Sequence, residues 1–320
     1  MGLRARATAL ARNVLSKPAV PPDLSDVAND NAAMPAVDRY WNRHLVRAGE
    51  FSSDKDSEDY LRWRSAQYPL FAEFMELYAD HTGQTILDYG CGPGNDVVGF
   101  LLWSNPVRVI GMDVSETALG LARHRAGLHR LDPARFELHQ LSDATPTVPL
   151  QDASVDWLHC LGVLHHSTHP TELMSELARV MKPGAQGRLM LYNRESVWYH
   201  VYVAYVEMVL NEKYLGLTVD QAFTRSTDGP DCPVSDAWSQ ERALKLVSDA
   251  GLRGTYLGGY LSLDEIEWWG RHGAAARADS RLEDEHRRFA SRVTLDARGY
   301  PTVDGSPAGI GGVYTLSKPG

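Results

Sequence analysis

The chain has 320 residues, with 32 Lys and Arg against 41 Asp and Glu, giving a formal net charge of −9. That balance excludes a broad basic face for nucleic acid or anionic lipid, and the length is enough to bury a sizeable core in one or two domains. Three cysteines, Cys91, Cys160 and Cys232, stand without CxxC spacing, which excludes a disulfide framework or a zinc ribbon and points to a reduced, cytoplasmic setting.

The first stretch, "MGLRARATALARNVLSKP", is basic and Ala-rich. A transit peptide or a membrane-surface helix would have this composition, but residues 1–37 as a whole read as a disordered leader rich in Pro, Asp, Asn and Ala. No run of about 18 apolar residues occurs, so no membrane span is expected. "DRYWNRHLV" and "DYLRWRSAQYPLFAEFMELYADH" read as aromatic-rich helices, a cap over residues 38–80. Strand-like and helix-like pieces then alternate. "TILDYG" is a short apolar strand, "NDVVGFLLW" a helix, "VRVIGMDVS" a second strand and "ETALGLARHRAGLH" a second helix. "FELHQL" (136–141) and the nearly all-apolar "VDWLHCLGVL" (155–164) are strands three and four, "TELMSELARV" is a helix stopped by "KPG", and "GRLMLYN" (187–193) is strand five. Such alternation specifies a doubly wound α/β fold with a mostly parallel sheet, whose ligands sit outside the strands' carboxyl ends. An aromatic helix over 196–216, a helix over 239–251 and two late strands, "TYLGGYLSL" and "GGVYTLS", complete the pattern, with a charged helical insert between the late strands.

The turn after strand one carries the chemistry. A dinucleotide fingerprint begun at Gly90 continues to Gly92 but then needs glycine where the chain has Asn95. What remains is D-x-G-x-G-x-G, Asp88 to Gly94, with a carboxylate where a pyrophosphate would be repelled. A ligand carrying a cation suits it better. At the end of strand two, 23 residues after Gly90, Asp113 is placed to accept both hydroxyls of a ribose. At the end of strand three, "LSDAT" offers Asp143 and the backbone of Ala144 to the amino edge of adenine.

With "ILDYGCGPG", "GMDVS", "SDAT", "DWLHCLGVLHH" and "ELARVMKPGAQGRLMLYN" in this order, residues 85–193 resemble the class I S-adenosylmethionine-dependent methyltransferases, close to the type 11 group. The resemblance implies a seven-stranded Rossmann-like sheet whose last two strands pair antiparallel, within a methyltransferase domain over 81–320. It implies that Asp88 and the backbone of Gly90 face the methionine ammonium, Asp113 with Val114 the ribose, and Asp143 with Ala144 the adenine. Gly92 and Gly94 would let the main chain approach the cofactor. Arg62 or Arg64, with Arg64 the favoured candidate, would pair with the cofactor's carboxylate.

For the acceptor, "HCLGVLHHSTH" puts His165 and His166 beyond strand four as candidate bases, while His159, inside the strand, reads as a packed residue. An alcohol needs its proton taken, so a base at this place favours O-methylation. Substrate contacts are expected from Tyr192, Asn193, Trp198, Tyr199 and His200 at the crevice rim, and from Trp41, Tyr60, Trp63 and Tyr68 opposite. Inserts at 196–236 and 264–305 would form the substrate lid. Aromatic rings beside Asn, His and Asp suit a sugar or another hydroxylated small molecule. "STDGPDCP" offers Asp228 and Asp231 to a divalent cation, although a turn with solvated acids explains them as well. The competing readings are N- or C-methylation of a natural product, and a non-catalytic adenosylmethionine-binding protein.

Overall fold

The structure, a computed structural model, describes residues 34–45 and 50–320. Most of the expected leader therefore lies outside the described residues. Its last part does not read as a leader, because helix α1 (Ala36–Arg43) already contains the buried Val37. Helix α2 (Asp54–Gln67) starts at Ser53, whose side chain accepts from Asp56 N. The single helix expected over residues 59–81 is broken. Pro69 disfavours the helical region for Tyr68, so α2 stops at Gln67 and only the short α3 (Phe71–Phe74) follows.

From here strands and helices alternate as β1 (Thr85–Tyr89), α4 (Asn95–Trp103), β2 (Arg108–Asp113), α5 (Glu116–Leu128), β3 (Phe136–Gln140), β4 (Val155–Leu161), α6 (Pro170–Val180) and β5 (Met181–Tyr192). The Trp198–Leu210 segment is wound as a π-helix. It is followed by α7 (Val219–Thr227), α8 (Gln240–Asp249), β6 (Arg253–Tyr260), α9 (Leu263–Ala278) and α10 (Asp284–Arg292). Short strands β7 (Thr294–Leu295), β8 (Pro301–Val303) and β9 (Ser306–Pro307) form a separate sheet before β10 (Gly311–Ser317).

The main sheet has seven strands in the order β3-β2-β1-β4-β5-β10-β6, with β10 antiparallel to both neighbours. This is the fold the sequence implied, including the antiparallel late pair. Residues on β1, β2, β4 and β5, among them Leu87, Ile110, Leu158 and Leu189, are fully or almost fully buried, as strands covered by helices on both faces must be. The aromatic segment after β5 packs on α10 and α9 through Val201, Ala204, Tyr205, Phe289 and Ala290, so the inserted elements have a small core of their own.

The glycine turn is held by close packing. Gly90, Gly92 and Gly94 all have positive φ, at 79°, 51° and 75°. A Cβ on Gly90 would run into Val163, and one on Gly94 would stand 2.8 Å from the Ala122 Cβ. At Gly92 a Cβ would meet nothing within 4 Å. Two of the three glycines therefore seat α4 and the β4 loop, and the middle one borders open space.

Candidate active site

A cavity of about 940 Å³ lies outside the carboxyl ends of the parallel strands. Tyr89, Asp113, Leu161, Tyr192 and Tyr260, each the last or a near-last residue of its strand, line it. Helix α1 crosses its mouth. Asp38 accepts from Ser142 Oγ at 2.6 Å and from Asp143 N at 2.9 Å, the Tyr40 hydroxyl donates to the Asp228 carbonyl, and the Trp41 ring lies 4.7 Å from that of His166.

One end is built around the glycine turn. Asp113 accepts from Gly92 N and Ser115 N, both at 2.8 Å, and so ties the turn to the end of β2. Burial raises its pKa, and these two backbone donors oppose the shift. Gly90, Gly92, Asp113, Val114 and Asp143 all border the cavity. Asp88 lies just behind the wall, 2% exposed, with Oδ2 lacking any hydrogen-bond partner. Burial pushes its pKa up to about 7, with Asp96 adding to the rise while His159 and Arg64 oppose it.

Sequence reasoning missed Asp96, which lines the cavity at the start of α4 and accepts from Arg64. Its second oxygen lies 3.2 Å from His159 Nε2. Burial opposes its ionisation, but Arg64 and His159 outweigh that and hold its carboxyl well below the usual range. Two acids as close in sequence as Asp88 and Asp96, flanking a helix start, were a signal that a buried cation had to lie nearby. Arg64 is that cation. The structure thus gives it a protein partner rather than leaving its charge to a ligand, though it still borders the cavity.

The expected adenine pair is also changed. The Asp143 carboxylate accepts from Ser167 Oγ at 2.5 Å and from Thr168 N at 3.2 Å, and its own N–H is taken by Asp38. Ala144 is exposed, borders no part of the cavity, and donates its N–H to Ser142 Oγ at 3.3 Å.

At the other end the two candidate bases separate. His165 is 1% exposed and does not line the cavity. Its Nδ1 accepts from Tyr192 N at 3.2 Å, its ring stacks on Tyr192 at 3.8 Å, and burial drives its pKa well below the ordinary value. It is a packed residue. His166 lines the cavity, and its Nδ1 lies 2.8 Å from the Val234 carbonyl oxygen. A carbonyl can only accept, so Nδ1 carries the hydrogen and Nε2 keeps a lone pair. Burial lowers its pKa, opposed by Asp228 and the Val234 carbonyl. Asp228 Oδ1 stands 3.9 Å from Nε2 and accepts from the Tyr192 hydroxyl at 2.9 Å.

Three of the five expected substrate contacts belong to the scaffold instead. Asn193 is buried, and the two hydrogens of its Nδ2 are shared among Glu195 O, Tyr256 Oη and Gly309 O at 2.9, 3.1 and 3.0 Å. Tyr199 packs on Phe223 and donates to Asp220 at 2.6 Å. His200 stacks on Phe289 at 4.1 Å, with Nδ1 2.7 Å from that of His286. Tyr192 and Trp198 do line the cavity, joined by Trp41, Tyr68, Phe71 and Tyr260. Asp231 is exposed and outside the cavity wall, so the expected pairing of Asp228 with Asp231 around a cation is not formed. Asn193→Ala is expected to lower stability by about 1 to 3 kcal/mol through the buried acceptors it orphans, a loss that thermal unfolding would read.

Residues 80–212 match the sequence family described as a methyltransferase domain. An uncharacterised 37.1 kDa protein in transposon TN4556 of Streptomyces fradiae is 32% identical over 43% of this chain, a match spanning 38% of that relative. The ubiquinone biosynthesis O-methyltransferase of Hydrogenovibrio crunogenus is 27% identical, over 58% of this chain and 71% of its own length. Among solved structures, the YcgJ protein of Bacillus subtilis is similar with a TM-score of 0.51 at 18% identity, covering 78% of this chain and 97% of that one. That last likeness concerns the fold alone.

Proposed function

From the match of residues 80–212 to a methyltransferase domain, we propose that the chain is a class I methyltransferase that moves the methyl group of S-adenosylmethionine to a hydroxyl of a small molecule. The observation that carries the acceptor half is His166: a buried imidazole, fixed from behind by the Val234 carbonyl, with its free lone pair on a side chain that borders the cavity. When bound, the cofactor supplies an electrophilic methyl on a sulfonium centre. His166 Nε2 takes the acceptor's proton, and Asp228, held by Tyr192, favours the imidazolium that results. Eight aromatic side chains around the cavity exclude water and offer flat faces to a phenol or a sugar ring. The relative named as an O-methyltransferase supports oxygen as the accepting atom.

The cofactor half rests on fit. The Cβ-free side of Gly92 opens on the cavity, and the unpartnered Asp88 Oδ2 beside the turn suits an ammonium group. In this reading Asp88 and Gly90 hold the methionine end, Asp113 and Val114 the ribose, and Asp143 the adenine with whatever lone pairs Ser167 and Thr168 leave free. Domain boundaries follow the same reading: α1 to α3 cap the cofactor, and the elements after β5 and β6 cover the acceptor.

Gly92→Val is expected to weaken S-adenosylmethionine binding by tenfold or more and to lower thermal stability as well, because the branched side chain would enter open space beside the cavity and is strained at a φ of 51°. Calorimetry showing normal affinity would move the cofactor away from this turn. Incubation with methyl-labelled S-adenosylmethionine and a panel of phenols, glycosides and amines tests the acceptor. Label transfer to amines alone would overturn the assignment to oxygen.

A further inference from the structure

Three donor atoms of zinc-binding type converge at the acceptor end of the cavity. One ligand atom each from His166, Asp228 and Cys232 lies within 4.8 Å of the other two. None was joined by sequence spacing, since Asp228 and Cys232 come from the loop after α7 and His166 from the turn after β4. Two of the three donors are also held from behind. His166 Nδ1 donates to Val234 O at 2.8 Å, whereas the Cys232 thiol, which donates to the same carbonyl at 3.3 Å, gives up that bond when it loses its proton to an ion. Asp228 accepts from Tyr192 and from Ser235 Oγ, the latter at 2.5 Å. Outer partners of this kind orient ligands in built metal sites.

We propose that these three side chains bind a soft divalent ion of the Zn²⁺ type, and that the ion inhibits the enzyme by occupying the His166 lone pair. The binding half stands on the geometry alone; the inhibitory half rests on His166 being the base. The donor set selects the ion. Mg²⁺ wants an octahedron of oxygens, whereas nitrogen, oxygen and sulfur together suit zinc. Ligand bonds of about 2.0 to 2.3 Å put tetrahedral donors roughly 3.3 to 3.8 Å apart, with a nitrogen–oxygen pair at the short end, so His166 Nε2 and Asp228 Oδ1, at 3.9 Å, would close by about half an ångström, and the pairs with Cys232, within 4.8 Å, by no more than about 1.5 Å. On binding, the S–H bond breaks and its proton goes to solvent, a sulfur–metal bond forms, and the thiolate and the Asp228 carboxylate neutralise the two charges of the ion. His166 and Asp228 both line the cavity, so an ion held by them would stand at its wall beside the acceptor.

The test uses the full chain and the metal alone. After treatment with chelator and desalting, Co²⁺ is titrated in as a spectroscopic stand-in for Zn²⁺. One equivalent is expected to give the visible bands of a four-coordinate ion together with a near-ultraviolet thiolate-to-cobalt band. Cys232→Ser is expected to lose the ultraviolet band, and Asp228→Asn to weaken binding at least tenfold. A wild type without a thiolate band, or a Cys232→Ser variant that keeps it, overturns the site. With an acceptor in hand, Zn²⁺ is expected to inhibit competitively with that acceptor, and Cys232→Ser to need at least tenfold more Zn²⁺ for the same fractional inhibition. Cobalt binding without acceptor-competitive inhibition would overturn the inhibitory half only. Failure of methyl transfer itself would leave the spectra unchanged, so the two readings fail separately.

Discussion

His166→Asn, assayed in chelator, is expected to lower the maximal rate of methyl transfer by about 10² to 10⁴ while cofactor affinity stays within about twofold. The reason is local. The asparagine amide can still donate toward the Val234 carbonyl, so the loop remains seated, but no lone pair of suitable basicity remains for the acceptor's proton. His165→Asn is the control. It removes the acceptor of the Tyr192 N–H and a ring stacked at 3.8 Å, so its effect should appear in thermal stability, with binding and turnover reduced together. In the wild type, the rate is expected to fall only at a pH below the ordinary imidazole value of 6.5, because burial lowers the His166 pKa and protonation removes the lone pair. A His166→Asn enzyme with full activity would place the base elsewhere, with Tyr192 the next group to test.

That two adjacent histidines divide in this way shows where sequence reading stopped. Strand alternation, the glycine turn and the antiparallel late pair were legible, because each is set by local backbone preference and by burial on two faces. The choice between His165 and His166 was not. Both lie in one 3-10 turn (Leu164–His166), and what separates them is a carbonyl at Val234, 68 residues away. The segment after β5 misled for a related reason. Its aromatic residues fitted a crevice rim, but Phe289 and His286 return from the α10 region to cover His200, and Asp220 takes the Tyr199 hydroxyl. At the end expected to take adenine, Asp38 reaches across 105 residues to occupy the Asp143 N–H, a contact no spacing rule contains. Local pattern located the carboxyl-end crevice. Long-range packing decided which side chains face it.

Asp88→Asn is expected to stabilise the cofactor-free protein while it weakens S-adenosylmethionine binding by about ten- to a hundredfold. In the fold, burial holds the Asp88 carboxyl near 7 against an ordinary 3.8. The folded state therefore keeps a proton that the unfolded chain has already released, and stability falls as pH rises from about 4 to about 7. Above that range the full penalty of a buried charge with an unpartnered oxygen is present. The amide avoids this penalty, so the gain in melting temperature should be largest at pH 8 and shrink to nothing below about pH 4. Binding should move the other way. If the carboxylate faces the cofactor's ammonium, losing a charge-assisted hydrogen bond costs about 1.5 to 3 kcal/mol, and wild-type affinity itself should weaken as pH falls through 7. Thermal unfolding from pH 5 to 8, with and without S-adenosylmethionine, measures both effects in one set of curves. The opposing signs are the diagnostic result: a strained carboxylate kept for a ligand should cost the empty protein stability and return it on binding. A variant that gains stability but binds the cofactor normally would leave Asp88 as a buried acid without a ligand, and the ammonium would have to be sought at Asp96.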